Sequence, residues 1–342
     1  MQGRKTALEP RASSGYDRAM FNPEEIIFAP TSRCNLQCSH CRVTRGDAEL
    51  GITESVAFLD TCVEGGIERV GYSGGEPFLR LDFITAMSKA AADRGMFFDR
   101  LMTNGDWWSD ADELRTALEA VFEAGFDGII GLSYDAFHGQ SPERISTFIA
   151  AVFDVWGRRD ALELLSVRSS SEESFFHDLN AVASALGGHL ESSGGEPVRI
   201  IDASTRPRTE SDPDDGKALN VPVLRFPLSK PTAEASWNAS RWFVDDYCAG
   251  PGNVFYVHPD GSVAVCCGFA NENPALIIGT VRDTYERLMA NAKDNAHVRT
   301  CYETGLGELR KRLESEGVKF PGKTGDMCMF CDFLLKKPHT QA

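Results

Sequence analysis

No uninterrupted run of about 18 apolar residues occurs in this chain of 342 residues, so no transmembrane helix is expected. The start, Met1-Gln2-Gly3-Arg4-Lys5-Thr6, leads into polar residues and lacks the apolar core of a secretory signal. Positive charge is also short. Lys and Arg number 35 against 50 Asp and Glu, a net charge of −15, the wrong sign for neutralising a phosphate backbone. Neither nucleic acid nor membrane is therefore expected as a partner. Cysteine, by contrast, is plentiful. Seven of the ten fall into metal-like groupings, and without a secretory signal this points to a reducing cytosol and metal sites rather than disulfides. The apolar share of 42% and charged share of 25% are those of an ordinary globular protein. The length suits one large unit and one smaller one.

Residues 1–20 read as a loose tail. From residue 21 the chain alternates between short apolar runs and helical periodicity. Strands are expected over 24–30, 67–73, 96–102, 128–132, 161–167 and 198–201. Helices are expected over 53–65, 81–94, 109–124, 142–157 and 172–186, several stopped by Gly. Six strand–helix repeats predict an α/β fold, a partial (β/α)6 TIM-type barrel over residues 21–205, open because two strands are missing. Residues 206–245 are rich in charge and proline and read as a linker or bridge. Residues 246–342 read as a small separate domain. Its hairpin, 254–257 and 262–265, turns at Asp260-Gly261, and helices follow near 283–291 and 306–316.

Cys34, Cys38 and Cys41 stand at C-x3-C-x2-C spacing just after the first strand. Close-set thiolates select zinc or an iron–sulfur cluster. A fourth thiol is missing nearby, since Cys62 falls in a helical pattern and reads as core. A cluster held by three thiolates keeps one metal open to a ligand that is not protein; a zinc ion completed from afar and free buried thiols are the competing readings. One strand later comes Gly74-Gly75-Glu76-Pro77, where paired glycines allow close backbone approach and Glu76 adds a carboxylate. An ammonium group is the natural ligand for such a turn, though an ordinary strand-to-helix turn would look the same.

These two motifs together resemble the radical S-adenosylmethionine (SAM) superfamily. The resemblance covers about residues 20–205. It implies a [4Fe–4S] cluster on Cys34, Cys38 and Cys41, whose unique iron binds SAM, and reductive cleavage to a 5′-deoxyadenosyl radical that abstracts hydrogen from a substrate. It further implies that Gly74, Gly75 and Glu76 hold the methionine ammonium and that the backbone at His40 borders the adenine. Ser133, Asp135 and Arg168 would contact the SAM carboxylate or ribose. Arg168 alternatively reads as a surface ion-pair residue, and Asn104 as either a SAM neighbour or a turn residue.

The C-terminal part holds Cys248 and Cys266 around the hairpin, with Cys328-x2-Cys331 near the end. Four cysteines suit a structural zinc site. The spacing also resembles the twitch and SPASM extensions of radical SAM enzymes, which implies one auxiliary iron–sulfur cluster, of the [4Fe–4S] type. Cys301 reads as buried or spare. Cys267 directly follows an expected ligand, so in an extended segment it faces the opposite side. There a thiol can give a hydrogen atom to a substrate radical; a buried inert thiol is the alternative. The order of motifs, including Ser133-Tyr134-Asp135-Ala136-Phe137-His138 and Asp260 to Cys267, is more narrowly similar to twitch-domain peptide epimerases. Ala249-Gly250-Pro251-Gly252-Asn253 departs from that pattern by offering no acidic residue.

The leading expectation is a cytoplasmic enzyme that matures a ribosomally made peptide by Cα epimerisation or cross-linking. A flavodoxin or ferredoxin would supply electrons. The alternatives are a small-molecule dehydrogenase acting on a sugar or cyclitol alcohol, and a non-enzymatic iron–sulfur or zinc protein.

Overall fold

The computed structural model describes residues 21–169, 172–202, 219–226, 234–244 and 254–336; the expected tail 1–20 and Cys248 lie outside them. The first half follows the expected alternation. In order come β1 (Glu25–Phe28), α1 (Ile52–Glu64), β2 (Arg69–Tyr72), α2 (Leu81–Asp93), β3 (Phe97–Thr103) and α3 (Ala111–Glu123). Then follow β4 (Ile129–Ser133), α4 (Pro142–Trp156), β5 (Leu162–Val167) and α5 (Glu172–Ala185). Local chemistry sets these boundaries. Asp110 caps α3 by accepting from the Asp112 and Glu113 amides. Ser141 caps α4 ahead of Pro142, and Gly157 ends it in the left-handed region at φ 65°.

The sixth strand departs from expectation. Residues 198–201 lie in β7 (Glu196–Asp202), which forms an antiparallel hairpin with β6 (Gly188–Ser193). The sixth parallel strand is instead β8 (Asn220–Phe226), inside the stretch read as linker; it pairs with β5 from Val223 to Phe226. The turn at Gly194-Gly195, with φ of 62° and 87°, is the cause, because two positive φ values in succession build a tight hairpin turn.

The C-terminal part contributes β9 (Val254–Val257), β10 (Ser262–Ala264) and β11 (Ile277–Thr280). Its helices are α6 (Tyr285–Asp294), α7 (Ala296–Arg299), α8 (Leu306–Ser315) and α9 (Met327–Lys336). All the described strands join one open sheet of order β11-β10-β9-β1-β2-β3-β4-β5-β8-β7-β6. The run β9-β1-β2-β3-β4-β5-β8 is parallel throughout. It is the open, partial barrel expected of the sequence, extended by a hairpin at the β1 edge.

One face of this sheet carries the core. Ile26 and Phe28 turn outward to the helices, with Phe28 edge-on to Phe58 and Phe83. The alternate residue Ile27 faces inward and packs with Ala29, Tyr256 and Ala264. No helix among the described residues is long and apolar enough to cross a membrane.

Candidate active site

The cysteine loop leaves β1 at its C-terminal end and is closed at its base. The Ser32 amide donates to the Ala48 carbonyl at 3.1 Å, and the Leu50 amide to Pro30 at 2.9 Å. The turn after β2 interlocks with it: Gly75 donates to the Thr31 carbonyl at 3.0 Å and Glu76 to Arg33 at 2.8 Å. The glycines are required by this contact. A Cβ on Gly75 would lie 2.0 Å from the Arg33 carbonyl oxygen, and Gly74 has φ 115°.

A cleft of about 140 Å³ opens between loop and turn. It is lined by Cys34, Cys38, Cys41 and His40 from the loop, with Gly74, Gly75, Asn104 and Ser133 from three strand ends. Strand ends are where parallel α/β folds place their sites. Donors face the sulfurs. Asn104 Nδ2 lies 3.5 Å from Cys34 Sγ and Arg45 Nη2 lies 3.7 Å from Cys41 Sγ. Soft donors on one short loop, with a guanidinium to offset thiolate charge, suit a thiolate-ligated metal cluster.

Two other expected contacts stand behind this wall instead of lining it. Glu76 is fully buried; its carboxylate accepts from the Asn104 amide at 2.8 Å, Thr103 Oγ1 at 2.9 Å and the Phe78 amide at 3.1 Å. Burial pushes its pKa up to about 7, against the pull of those hydrogen bonds. Asp135 is also buried and ties β4 to β5, accepting from the Val167 amide at 3.1 Å and pairing with His138 Nδ1 at 2.8 Å. Burial opposes the charge on His138, yet the bonds to Asp135 and Cys38 lift it to about 10. The His138 ring stands 5.0 Å from that of His40, which also meets Phe137 at 4.8 Å. Arg168 is not brought to the cleft. It is half exposed and pairs with Glu196 at 3.5 Å, the surface role that was its alternative reading.

Two of the C-terminal thiols meet at Gly268. The Sγ atoms of Cys328 and Cys266 lie 3.0 Å and 3.6 Å from the point where a Cβ on Gly268 would stand. Cys266 accepts from the Gly268 amide at 3.2 Å and is buried with Cys331, whereas Cys267 is exposed. Cys266 and Cys267 both lie beyond the end of β10 at Ala264, outside any strand.

Contacts the sequence did not reveal bind the two thiol sets to each other. Arg42, beside Cys41, reaches α9, pairing with Asp332 at 3.5 Å and approaching Met329 Sδ at 3.7 Å. Its guanidinium also lies over the Phe269 ring, 5.2 Å from the centroid. The Thr44 amide donates to Glu272 at 2.8 Å. Gln140 Nε2 links the carbonyls of Asn104 and Ser133, at 2.6 Å and 2.9 Å, and so holds two strand ends together. His138 carried a signal in the sequence, through its place in the motif after β4; the contacts of Arg42, Thr44 and Gln140 depend on distant parts of the chain.

No family model matches the chain. It is 30% identical over 127 residues to a GTP 3′,8-cyclase of Listeria welshimeri, covering 35% of this chain and 36% of that one. It is 29% identical over 133 residues to a PqqA peptide cyclase of Granulibacter bethesdensis, covering 38% and 33%. The matched stretches therefore span about a third of either relative. The solved structure of anSMEcpe with bound AdoMet aligns at a TM-score of 0.49 and 16% identity, over 85% of this chain and 86% of that one.

Proposed function

We propose that this protein is a radical SAM enzyme that modifies a ribosomally made peptide, by Cα epimerisation or by cross-linking. The observation that carries the reading is the meeting of three loop thiols with Gly74, Gly75, Asn104 and Ser133 around one cleft. Cys34, Cys38 and Cys41 would hold a [4Fe–4S] cluster. With SAM bound, that cluster supplies reductive cleavage to a 5′-deoxyadenosyl radical. Gly74 and Gly75 offer their backbone to the methionine end, and Glu76 fixes the turn from behind. His40 borders the adenine side, while Asn104 and Ser133 complete the wall that Asp135 braces. Cys248, Cys266, Cys328 and Cys331 would hold an auxiliary iron–sulfur cluster. A flavodoxin or ferredoxin is the electron donor this chemistry needs.

Cys267 is the residue that favours epimerisation. A substrate Cα that has lost its hydrogen on one face regains one from the Cys267 S–H on the other; the sulfur-centred radical left behind takes an electron from the reducing partner and a proton from solvent. The named peptide substrate of one relative supports the peptide reading. The other relative, named for a nucleotide, supports the alternative of a small-molecule dehydrogenase.

The anaerobically reconstituted enzyme, given SAM, reductant and a candidate precursor peptide in deuterated buffer, separates these readings. One deuterium at a Cα, lost in Cys267→Ala, is the expected result. A product unchanged by that substitution removes the donor role, and a two-hydrogen loss with no deuterium uptake means cross-linking or oxidation. Failure to cleave SAM at all overturns the radical SAM reading.

A further inference from the structure

Below the cleft, toward the N-terminal ends of the strands, the inner face of the sheet carries charged residues that take no part in the chemistry above. Met102 of β3 and Ser133 of β4 line the cleft itself. The next inner positions on those strands, Arg100 and Gly131, lie two residues back and roughly 7 Å further down. The core fixes which side is which. Val70, Leu101, Ile130 and Leu164 are fully buried in the core shared with the helices, so their neighbours Arg69, Arg100, Gly131 and Glu163 point inward. β3 also holds an extra residue at this level. Phe98 pairs with Val70 and Leu101 with Tyr72, so Asp99 and Arg100 together oppose the single Gly71. Phe98 packs on Phe126 on the helix side, with ring centroids at 5.0 Å, which leaves both bulged residues on the inner face. Bulges re-aim side chains in this way beside active sites. Arg100 Nε pairs with Glu163 across β4 and Nη1 with Asp99 at 3.3 Å, yet the side chain is 43% exposed. Among the described residues its Nη2 has no hydrogen-bond partner. Arg69 lies beside Glu25 in the β1–β2 pair and forms no ion pair among the described residues. Between them Gly71 keeps space open: a Cβ there would meet Glu25 Oε1 at 2.7 Å and the Arg100 carbonyl at 3.1 Å.

We propose that Arg100 and Arg69 form a carboxylate-binding site on the inner face of the sheet, which takes an aspartate or glutamate side chain of the peptide substrate. The proposal rests on the reading of this protein as a peptide-modifying enzyme and names a feature its substrate must carry. A guanidinium is a planar fork of donors that matches a carboxylate. Glu163 and Asp99 hold Arg100 in one orientation, so little side-chain freedom is lost when an anion arrives. Their own charges are engaged in those pairs, and Arg69 supplies the second cation. Glu25, pushed up to about 7 chiefly by burial, is largely protonated below that pH and can then donate to an anion instead of repelling it. A lysine side chain in the same place would face two guanidinium groups. The site is continuous with the cleft through Met102, so a peptide anchored at Arg100 reaches the cleft along one face of the sheet.

The test uses blocked synthetic heptapeptides of Ala and Gly that differ only at the central residue, which is Glu, Gln or Lys. Each is titrated calorimetrically into the anaerobically reconstituted full chain with SAM and without reductant. The Glu peptide is expected to bind about tenfold more tightly than the Gln peptide, the worth of one charge-assisted pair. Arg100→Gln and Arg69→Gln should each bring that ratio to about threefold or less. Arg100→Lys, which keeps the charge but not the fork, should fall between parent and Arg100→Gln. Equal binding of the Glu and Gln peptides by the parent, binding of neither, or tightest binding of the Lys peptide overturns the proposal. A parent-like ratio in both Gln variants also overturns it. Should Arg100→Gln misfold through loss of its partners, Arg69→Gln decides instead, and a parent-like ratio there overturns the site. The underlying reading fails separately. With reductant added, absence of SAM cleavage overturns the radical SAM reading whatever the binding ratio, whereas SAM cleavage without a preference for the Glu peptide overturns the site alone.

Discussion

Glu76 shows how one side chain can serve a site without entering it. Its carboxylate is the acceptor for two buried amides and a hydroxyl behind the wall of the cleft. Truncation to Ala leaves the Phe78 and Asn104 amides unpaired, at about 1–3 kcal/mol for each buried donor. Glu76→Ala should therefore lower stability by about 2–5 kcal/mol in urea unfolding of the metal-free chain, and a loss under about 1 kcal/mol would show that water replaces the carboxylate. Glu25 gives a second test at this scale. Desolvation first, and the neighbouring Asp99 next, push it up to about 7, against Arg100 and Arg69. A carboxyl held above its unfolded value binds an extra proton in the native state. The stability it contributes is complete below the unfolded pKa, near 4.5, and is lost as pH rises through about 7. Metal-free Glu25→Gln should then lose less stability than the parent between about pH 5 and pH 7.5. Equal losses would show that Glu25 titrates normally. Because Glu76 has the same sign, the variant should flatten the curve only in part.

At the scale of elements, what the sequence revealed was what short-range chemistry controls. β1 through α5 were legible because each helix carries an apolar stripe and a cap or Gly stop of its own, as with Ser141, Pro142 and Gly157 around α4. The interlocked cysteine loop and Gly74-Gly75 turn were legible for a related reason: both are continuous stretches whose residue types are demanded locally. The sixth strand was not. Residues 198–201 are apolar enough for a strand, but the count of strand–helix repeats outweighed the Ser193-Gly194-Gly195 turn that makes them half of a hairpin. β8 was masked by Pro222, a residue that argues against a central strand. Pro222 is tolerated because it pairs with Arg199 of β7, whereas the pairing to β5 begins only at Val223. The missing donor thus falls outside the parallel ladder. Arg42 with Asp332 was illegible because nothing nearby in sequence requires it.

At the scale of the whole molecule, the sequence suggested a barrel, a linker and a separate C-terminal unit, but the physical connections run across those boundaries. β9 pairs with β1 from Glu25–Val254 to Phe28–Val257. Phe255 packs against Phe21 and Phe58, with ring centroids at 5.9 Å and 6.4 Å, and Val257, Val263 and Leu288 share one core with Phe28 and Phe83. The Tyr285 amide donates to Thr61 Oγ1 at 3.0 Å, and its ring covers Gly65 so closely that a Cβ there would meet it at 2.3 Å. A chain ended after residue 245 would therefore expose a β1 edge and the apolar surface that Phe255 and Val257 now cover, a combination that favours aggregation. The shortened chain should precipitate or fail to unfold cooperatively, and the metal-free full chain should show one calorimetric transition shared by barrel and hairpin. Two resolved transitions, with a soluble and cooperative 1–245 fragment, would overturn this. The consequence for function is positional. One continuous sheet carries the loop of Cys34, Cys38 and Cys41 from β1 and leads through β9 and β10 to Cys266 and Cys267. Loosening the β1–β9 pair would thus disturb the distance between the two thiol sets before it unfolded either one.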